Sequence, residues 1–391
     1  MKNTIVLKKA INIIAKNGNI YMESNEGTKG IKHIFQLENE IKIDGVKFNS
    51  KNNQQLEMSL REENGSSWDE SHGYSSNISA INIKNSNCEV SNCVGTELEF
   101  LVHANNSSVI NNLKINNNSI YKTFIGIGMG NVINSYIESN TITMESSLCV
   151  GTPHAIYFWG GCQNIRVSNC YLYNSANIIS LMRSRGSNYK IMISNCSFEC
   201  LKTKSSIGID CVNGTSNVYI QNCTFTDCRG LLNSSAIGSS YINNCMFISD
   251  NNIANNTISN FINPLENTGG GLLNVENTTF DITFYYENAI KFKNTKFRNV
   301  NLVLTVNNSI NTFNKTGIET DGDVRFYNSS IISNGRYYVY GSGTYSIYNS
   351  VITSSQGSEL SYLNTNYYKC IMSNSFTNTN NMTNMVDCTL I

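Results

Sequence analysis

The side chains best suited to acid–base chemistry fall in two stretches of a chain in which only 14% of the residues are charged. Glu99 and His103 lie close together in one stretch, and Tyr157 lies in the other. A carboxylate with a histidine or tyrosine proton donor can remove and return protons in a lyase reaction. Two carboxyl groups about 5 to 10 Å apart can instead hydrolyse a glycosidic bond.

Two predicted insertions could bring further polar groups to these residues. Residues 50–77 are the most charged segment of the chain and contain Asp69 and Glu70, and residues 140–154 end at His154. If the first insertion folds over Glu99, one of its carboxylates could complete a catalytic pair. The catalytic candidates are therefore Glu99, Tyr157, His103, Asp69 and Glu70.

A second group of residues is suited to binding. Tyr157 and Trp159 could stack on a sugar ring, and Gly126 and Gly128 predict a depression, because glycine within a strand often marks the close approach of another group. Two alternatives remain open. Tyr157 and Trp159 could pack beneath a loop or another subunit, and Arg183 could close a turn or contact a neighbouring chain. The binding candidates are Trp159, Tyr157, Gly126, Gly128, His154, Asp210 and Arg183.

A repeated motif supplies the elements that would position these side chains. Residues 165–172 read IRVSNCYL, residues 191–198 read IMISNCSF and residues 218–225 read VYIQNCTF. Apolar and polar residues alternate before the asparagine, as in a half-buried strand, and the alternation resumes out of phase after it. Asparagine tolerates left-handed backbone angles better than other non-glycine residues, so the motif predicts strand, asparagine corner and strand.

The corner asparagines recur at intervals of 17 to 35 residues, which is typical of a solenoid whose repeats bury their apolar faces against one another. Stacked at strand spacing, their side-chain amides are expected to form a hydrogen-bonded ladder. The predicted ladder is Asn92, Asn112, Asn134, Asn169, Asn195, Asn222, Asn244, Asn277, Asn294, Asn328 and Asn349.

This pattern resembles the right-handed parallel β-helix of pectate lyases and, more closely, of phage tailspikes. The resemblance implies an all-β, single-stranded solenoid with three short strands per coil and an asparagine ladder, assembled as a homotrimer. It also implies a sugar-binding groove on the first strand of each coil. We expect a cap or first coil over residues 1–38, the β-helix over 39–352 with insertions at 50–77 and 140–154, and last coils with a C-terminal cap over 353–391. An amphipathic helix over residues 4–16 is the alternative at the N-terminus.

The residues on the predicted first-strand face do not by themselves show that the protein is an enzyme. Glu99 and Asp210 would stand four coils apart, which at strand spacing is roughly 19 Å and too far for a glycosidase pair. No acidic cluster for Ca²⁺ is evident, and the Asp-rich and Gly-His-Gly motifs of polygalacturonases are missing, so we expect no metal and no cofactor. Whether the chain degrades polysaccharide, by hydrolysis or by elimination, remains open.

The amino-acid composition limits the partners that the chain can bind and indicates the compartment in which it is made. Lys plus Arg and Asp plus Glu both number 28, so no basic surface for nucleic acid is expected, and no segment has the length for membrane insertion. Thirteen cysteines form no disulfide framework, and Cys170, Cys196, Cys223 and Cys245 share one inward position where a small apolar side chain is expected. These features predict buried thiols and synthesis in a reducing host cytoplasm.

The leading hypothesis is a tailspike-like receptor-binding protein in the virion, which recognises a host surface polysaccharide and contacts other virion proteins. The competing hypothesis is a structural fibre or spike component without glycan activity. A secreted bacterial lyase is disfavoured, because the N-terminal segment has Lys8 and Lys9 within its apolar part and so lacks the core of a signal peptide.

Overall fold

The structure is a computed structural model. Every structural statement below concerns the residues that it describes, which are 5–15, 19–23, 33–51, 79–96, 98, 100–123, 125–144, 154–174, 180–200, 207–212, 214–233, 239–250, 265–267, 271–284, 288–306, 315–355, 358–360, 364–373 and 383–391. These residues form strands and turns, and no helix among them could cross a membrane. The chain divides into two compact units, Met1–Ser197 and Phe198–Ile391.

In the first unit each coil contributes up to three strands. First strands are Ile5–Leu7, His33–Leu37, Ser79–Ile83, His154–Phe158 and Ser180–Arg185; second strands are Asn12–Ile14, Lys42–Asp44, Glu89–Ser91, Lys114–Asn116, Gln163–Ser168 and Tyr189–Ser194. Phe100–Asn111 and Ile125–Glu138 are long strands that continue past the first position. Third strands are Asn19–Glu23, Lys47–Lys51, Val94–Thr96, Ser119–Tyr121, Thr141–Met144 and Tyr171–Asn174.

The second unit repeats the arrangement. First strands are Ile207–Val212, Arg229–Asn233, Leu265–Asn267, Arg336–Gly341 and Ser358–Leu360; second strands are Ser216–Gln221, Ser240–Asn243, Leu273–Glu276, Thr344–Tyr348, Asn364–Tyr368 and Thr383–Val386. Asn288–Arg298 and Lys315–Tyr327 are long strands. Third strands are Ser197–Cys200, Thr224–Thr226, Met246–Asp250, Thr279–Phe284, Asn301–Val306, Ser330–Ser333, Val351–Ser354, Ile371–Met372 and Thr389–Leu390.

Strands at the same position of successive coils pair in parallel, and the apolar alternation of the repeat forms the core. In the first unit one inward row on the second strands is fully buried and runs through Ile43, Val90, Ile115, Ile137, Val167 and Ile193. In the second unit the third strands contribute stacked rings, with Phe225 lying 4.5 Å from Phe247 and Phe247 lying 4.7 Å from Phe280 between ring centroids. The predicted all-β parallel β-helix is confirmed.

The N-terminal segment is built of strands. Ile5–Leu7 pairs with His33–Leu37, and Asn12–Ile14 pairs with Lys42–Asp44, so the alternative helix over residues 4–16 does not form within 5–15. The second predicted insertion is also shorter than expected, because Thr141–Met144 is a strand and His154 begins the next one. The rest of that segment, like residues 52–77 of the first insertion, lies outside the described residues.

The asparagine ladder is real, but it occupies two columns rather than one. In the column between second and third strands, the side-chain amide of Asn117 donates to Asn92 at 2.5 Å, and that of Asn244 donates to Asn222 at 2.8 Å. A second column lies before the second strand and includes Asn112, Asn134 and Asn294. The predicted ladder places those three residues in the column between second and third strands, which is wrong. At these coils the residues of that column are Asn117, Ser139 and Asn299.

At most coils the inward position after the corner holds a small hydrogen-bonding side chain rather than the expected apolar one, although Val300 is apolar. Cys245 donates from Sγ to the Asn243 carbonyl at 3.4 Å and accepts the Cys223 backbone N–H at 3.5 Å. Ser329 makes the same two bonds, to the Tyr327 carbonyl at 2.9 Å and from the Val300 N–H at 3.2 Å. Cysteine and serine therefore make the same two hydrogen bonds at this position.

Candidate functional site

The first strands of the first unit bring four of the site candidates into a single row. Strand register places His103 opposite Gly128, Gly128 opposite Tyr157, and Tyr157 opposite Arg183. Gly126, the other glycine among the binding candidates, lies outside this row. The grouping of these residues on one face is nevertheless as expected.

Neither glycine opens a depression. A Cβ atom on Gly126 would lie 3.1 Å from Ile142 and 3.5 Å from Ile120, both of which are core residues, so this glycine faces inward. A Cβ atom on Gly128 would lie 2.3 Å from the Trp159 ring and 2.9 Å from Phe100. The space above Gly128 is thus filled by the indole of Trp159.

The expected aromatic platform is a packed cluster. The Trp159 ring lies 4.9 Å from Tyr157, 5.4 Å from His103 and 5.8 Å from Phe100 between centroids. Tyr157 is 1% exposed and Phe100 is fully buried, while Trp159 is partly buried. This corrects the prediction that Tyr157 presents an accessible ring, and it favours the alternative in which the pair packs beneath other groups.

The two histidines of this face are held neutral. His103 Nδ1 lies 3.1 Å from Asn82 Oδ1, and burial, with His33 and Lys84 nearby, lowers the pKa of His103 to about 3. His154 is completely buried, with Nδ1 3.0 Å from Ser180 Oγ, and burial next to Arg183 lowers its pKa to about 3. Near pH 7 such an imidazole carries no second proton to give up, so neither histidine has the properties of a general acid.

The structure describes two of the remaining candidates, Asp210 and Arg183. Asp210 lies in the second unit and is 3% exposed, beside Cys211, whose pKa is raised by burial and by that carboxylate. Arg183 is half-buried in the first-strand row. Glu99, Asp69 and Glu70 lie outside the described residues. Among the described residues no group of three or more His, Cys, Asp and Glu side chains is placed to hold a metal ion.

The second strands carry an exposed polar and aromatic row that the sequence analysis did not assign. Register aligns Lys114 with Tyr136 and Tyr136 with Arg166, and all three side chains are exposed, with Tyr136 at 40%. The guanidinium carbon of Arg166 lies 5.7 Å from the centroid of the Tyr136 ring, a cation–π distance. The signal was present in the repeat, since Arg166 is the outward residue between Ile165 and Val167.

A groove of about 490 Å³ is lined by residues on and beside Lys114–Asn116 and Ile125–Glu138, and its volume is in the range of ligand sites. It is open to solvent, and its chemistry combines an aromatic ring, an ammonium, a carboxylate and two amides. Its lining residues are Asn112, Lys114, Ile115, Asn116, Tyr136 and Glu138.

No protein-family model matches the chain, and no curated protein matches it. Among solved structures, the chain is similar to the tailspike protein of E. coli bacteriophage HK620 in complex with a pentasaccharide, at 11% identity and a TM-score of 0.49, over 97% of this chain and 72% of the tailspike chain. It is also similar to a mutant of that tailspike in complex with a hexasaccharide, at 12% identity and a TM-score of 0.47, over 97% and 71% of the two chains. The fold assignment itself rests on the strand pairing of this chain.

Proposed function

We propose that this protein is a tailspike-like receptor-binding protein of a phage and that it recognises a polysaccharide on the host cell surface. The observation that carries the proposal is a set of tyrosines, each more than one-third exposed, on the second and third strands of a parallel β-helix. They are Tyr121, Tyr136, Tyr171 and Tyr189 in the first unit and Tyr219 and Tyr241 in the second.

These tyrosines suit sugar recognition for a physical reason. A tyrosine ring offers an apolar face to the C–H groups of a sugar, and its hydroxyl exchanges hydrogen bonds with sugar hydroxyls. Strand pairing fixes the rings in position before a ligand arrives, which lowers the entropy cost of binding. The formal net charge of zero gives no overall attraction between the chain and a charged glycan, so local contacts are expected to supply the affinity.

The same proposal places the protein in the virion as a homotrimer in contact with other virion proteins. Apolar side chains are exposed on the first described coil, where Ile14 is 62% exposed, and on the last, where Leu390 is 52% exposed. Exposed apolar surface of this kind is typical of contacts with other protein chains. Val351 and Ile371, which are aligned on adjacent third strands and about 40% exposed, are the proposed contact between copies.

The test is direct binding of the full chain to an array of bacterial capsule and O-antigen polysaccharides. We expect retention on at least one of them, and loss of that signal after heat denaturation. Release of reducing ends, or of unsaturated ends, from the bound polysaccharide would add hydrolase or lyase activity to recognition. A folded protein, verified by circular dichroism, that binds no polysaccharide would favour the structural-fibre hypothesis instead.

A further inference from the structure

The exposed row of the second strands concentrates charge in a chain that otherwise avoids it. At the start of the row, Lys42 and Glu89 form an ion pair with a nitrogen–oxygen distance of 2.9 Å. Lys114 lies opposite Glu89 on the next strand, followed by Tyr136 and Arg166. Within the described part of the chain, neither Lys114 nor Arg166 takes part in an ion pair. Both cations are therefore available to a ligand.

The two cations flank the same aromatic ring. Arg166 covers one face of Tyr136, and Lys114 lies on the preceding strand, about 4.8 Å away at parallel-strand spacing. Tyr136 lines the groove that also contains Lys114. A ligand in this groove would thus meet an aromatic ring and an ammonium group together.

Hydrogen-bonding groups complete the lining. Glu138 lies opposite Asn116 and its carboxylate already accepts the Asn169 amide at 3.3 Å, which leaves further acceptor capacity. Asn112 and Asn116 also line the groove, and an asparagine amide can both donate to and accept from a sugar hydroxyl. Aromatic face, cation and hydroxyl-binding oxygens together match a sugar that carries a carboxylate.

We propose that this groove binds one acidic monosaccharide of the recognised glycan, with its carboxylate on Lys114 and its apolar face on Tyr136. This inference rests on the proposed function and adds to it the class of sugar and the residues that select it. Lys114 supplies the preference for a carboxylate, because an ammonium–carboxylate hydrogen bond is about twice as strong as a neutral one. Tyr136 supplies affinity that does not depend on the charge of the sugar.

The experiment uses the full chain and an array of bacterial oligosaccharides in which each uronate-containing member is paired with its carboxyl-reduced form. We expect the wild-type protein to prefer an acidic member at least tenfold over its reduced partner. Lys114→Gln should remove that preference, and Tyr136→Ala should weaken binding to both forms about tenfold or more. Raising the salt concentration should weaken binding of the acidic form only.

A matched control comes from the equivalent strand position in the second unit. Lys296→Gln should bind as the wild type does, and circular dichroism should show that all three variants are folded. If the wild type binds a glycan but Lys114→Gln and Tyr136→Ala leave affinity and preference unchanged, or if neutral forms are preferred, this inference is wrong and the proposed function stands. If the folded wild type binds no glycan at all, the proposed function fails and this inference fails with it.

Discussion

At the scale of single residues, burial determines whether a side chain can take part in acid–base chemistry more strongly than its residue type does. His103, Tyr157 and His154 are residue types that catalyse reactions, but here they pack against Trp159 or Ser180. Tyr157 and His154 are fully buried, and His103 is partly buried. Moving a charge into such a site costs free energy, so the imidazoles stay neutral. Their role in the described structure is to fill and hydrogen-bond the first-strand face.

This burial predicts an acid sensitivity. Because the pKa of His103 is about 3 in the folded protein and about 6.5 when unfolded, the unfolded state binds more protons between those values. The stabilising effect of the neutral ring is complete above pH 6.5 and is lost as the pH falls toward 3. Urea denaturation at pH 7 and pH 4.5, followed by tryptophan fluorescence, should show a loss of at most about 1.4 kcal/mol per pH unit for each buried histidine.

His103→Gln should have a shallower pH dependence than the wild type, since the contribution of His103 is removed while that of His154, with a pKa of about 3, remains. Gln163→His, which adds an exposed histidine on a second strand of the same unit, is the matched control and should leave the dependence unchanged. Equal pH dependence in the wild type and His103→Gln would contradict the assignment of a buried, neutral ring.

At the scale of the coil, the position after the corner is a hydrogen-bonding relay between neighbouring coils. At Cys245 the relay links the Asn243 carbonyl and the Cys223 N–H through one sulfur atom. Asparagine does the same in the first unit, where Asn118 Oδ1 accepts the Cys93 N–H at 2.9 Å. Most residues at this position therefore vary in type but offer a hydrogen-bond donor and acceptor, and Val300 is an exception.

The relay predicts an ordering of substitutions. Cys245→Ser retains both bonds and should cost less than about 1 kcal/mol, whereas Cys245→Ala leaves the buried Cys223 N–H without a partner and should cost about 1 to 3 kcal/mol. Chemical denaturation under reducing conditions measures both. Ser329→Ala should behave as Cys245→Ala does, and an alanine variant as stable as the serine variant would show that the position needs only volume.

At the scale of the whole molecule, exposed apolar side chains favour association with other protein chains. Val351 and Ile371 point to solvent from adjacent third strands, while their neighbours Ile352 and Met372 are fully buried in the core. Outward valine and isoleucine are costly to leave in water, and association removes them from it.

The proposed homotrimer should have three times the 43.5 kDa mass of the chain in light scattering. Ile371→Asp places a charge in the proposed contact and should shift the mass toward that of the monomer. Ile11→Asp, an exposed isoleucine of similar accessibility in the first unit, is the control and should leave the mass unchanged. A monomer mass for the wild-type protein would refute the trimer.

The interpretation of the site from sequence failed where the alternation of inward and outward residues broke. Gly126 faces the core, yet Gly128, two residues later, faces the Trp159 ring, so a strict period of two assigned the first strands incorrectly. On the second strands the period of two holds through Tyr136 and Arg166. There the exposed row could have been found from the repeat alone.

The sequence by itself determined the coil, because alternating apolar residues and a corner asparagine are local requirements of a strand and a left-handed backbone angle. Only the tertiary structure decided which of several asparagines turns each corner, since Asn116, Asn117 and Asn118 are adjacent and only Asn117 has a φ of 54°. It also decided that Tyr157 is enclosed. Phe100 and His103, which pack with Trp159 around it, are more than 50 residues away in the chain, and no local pattern records contacts made between coils.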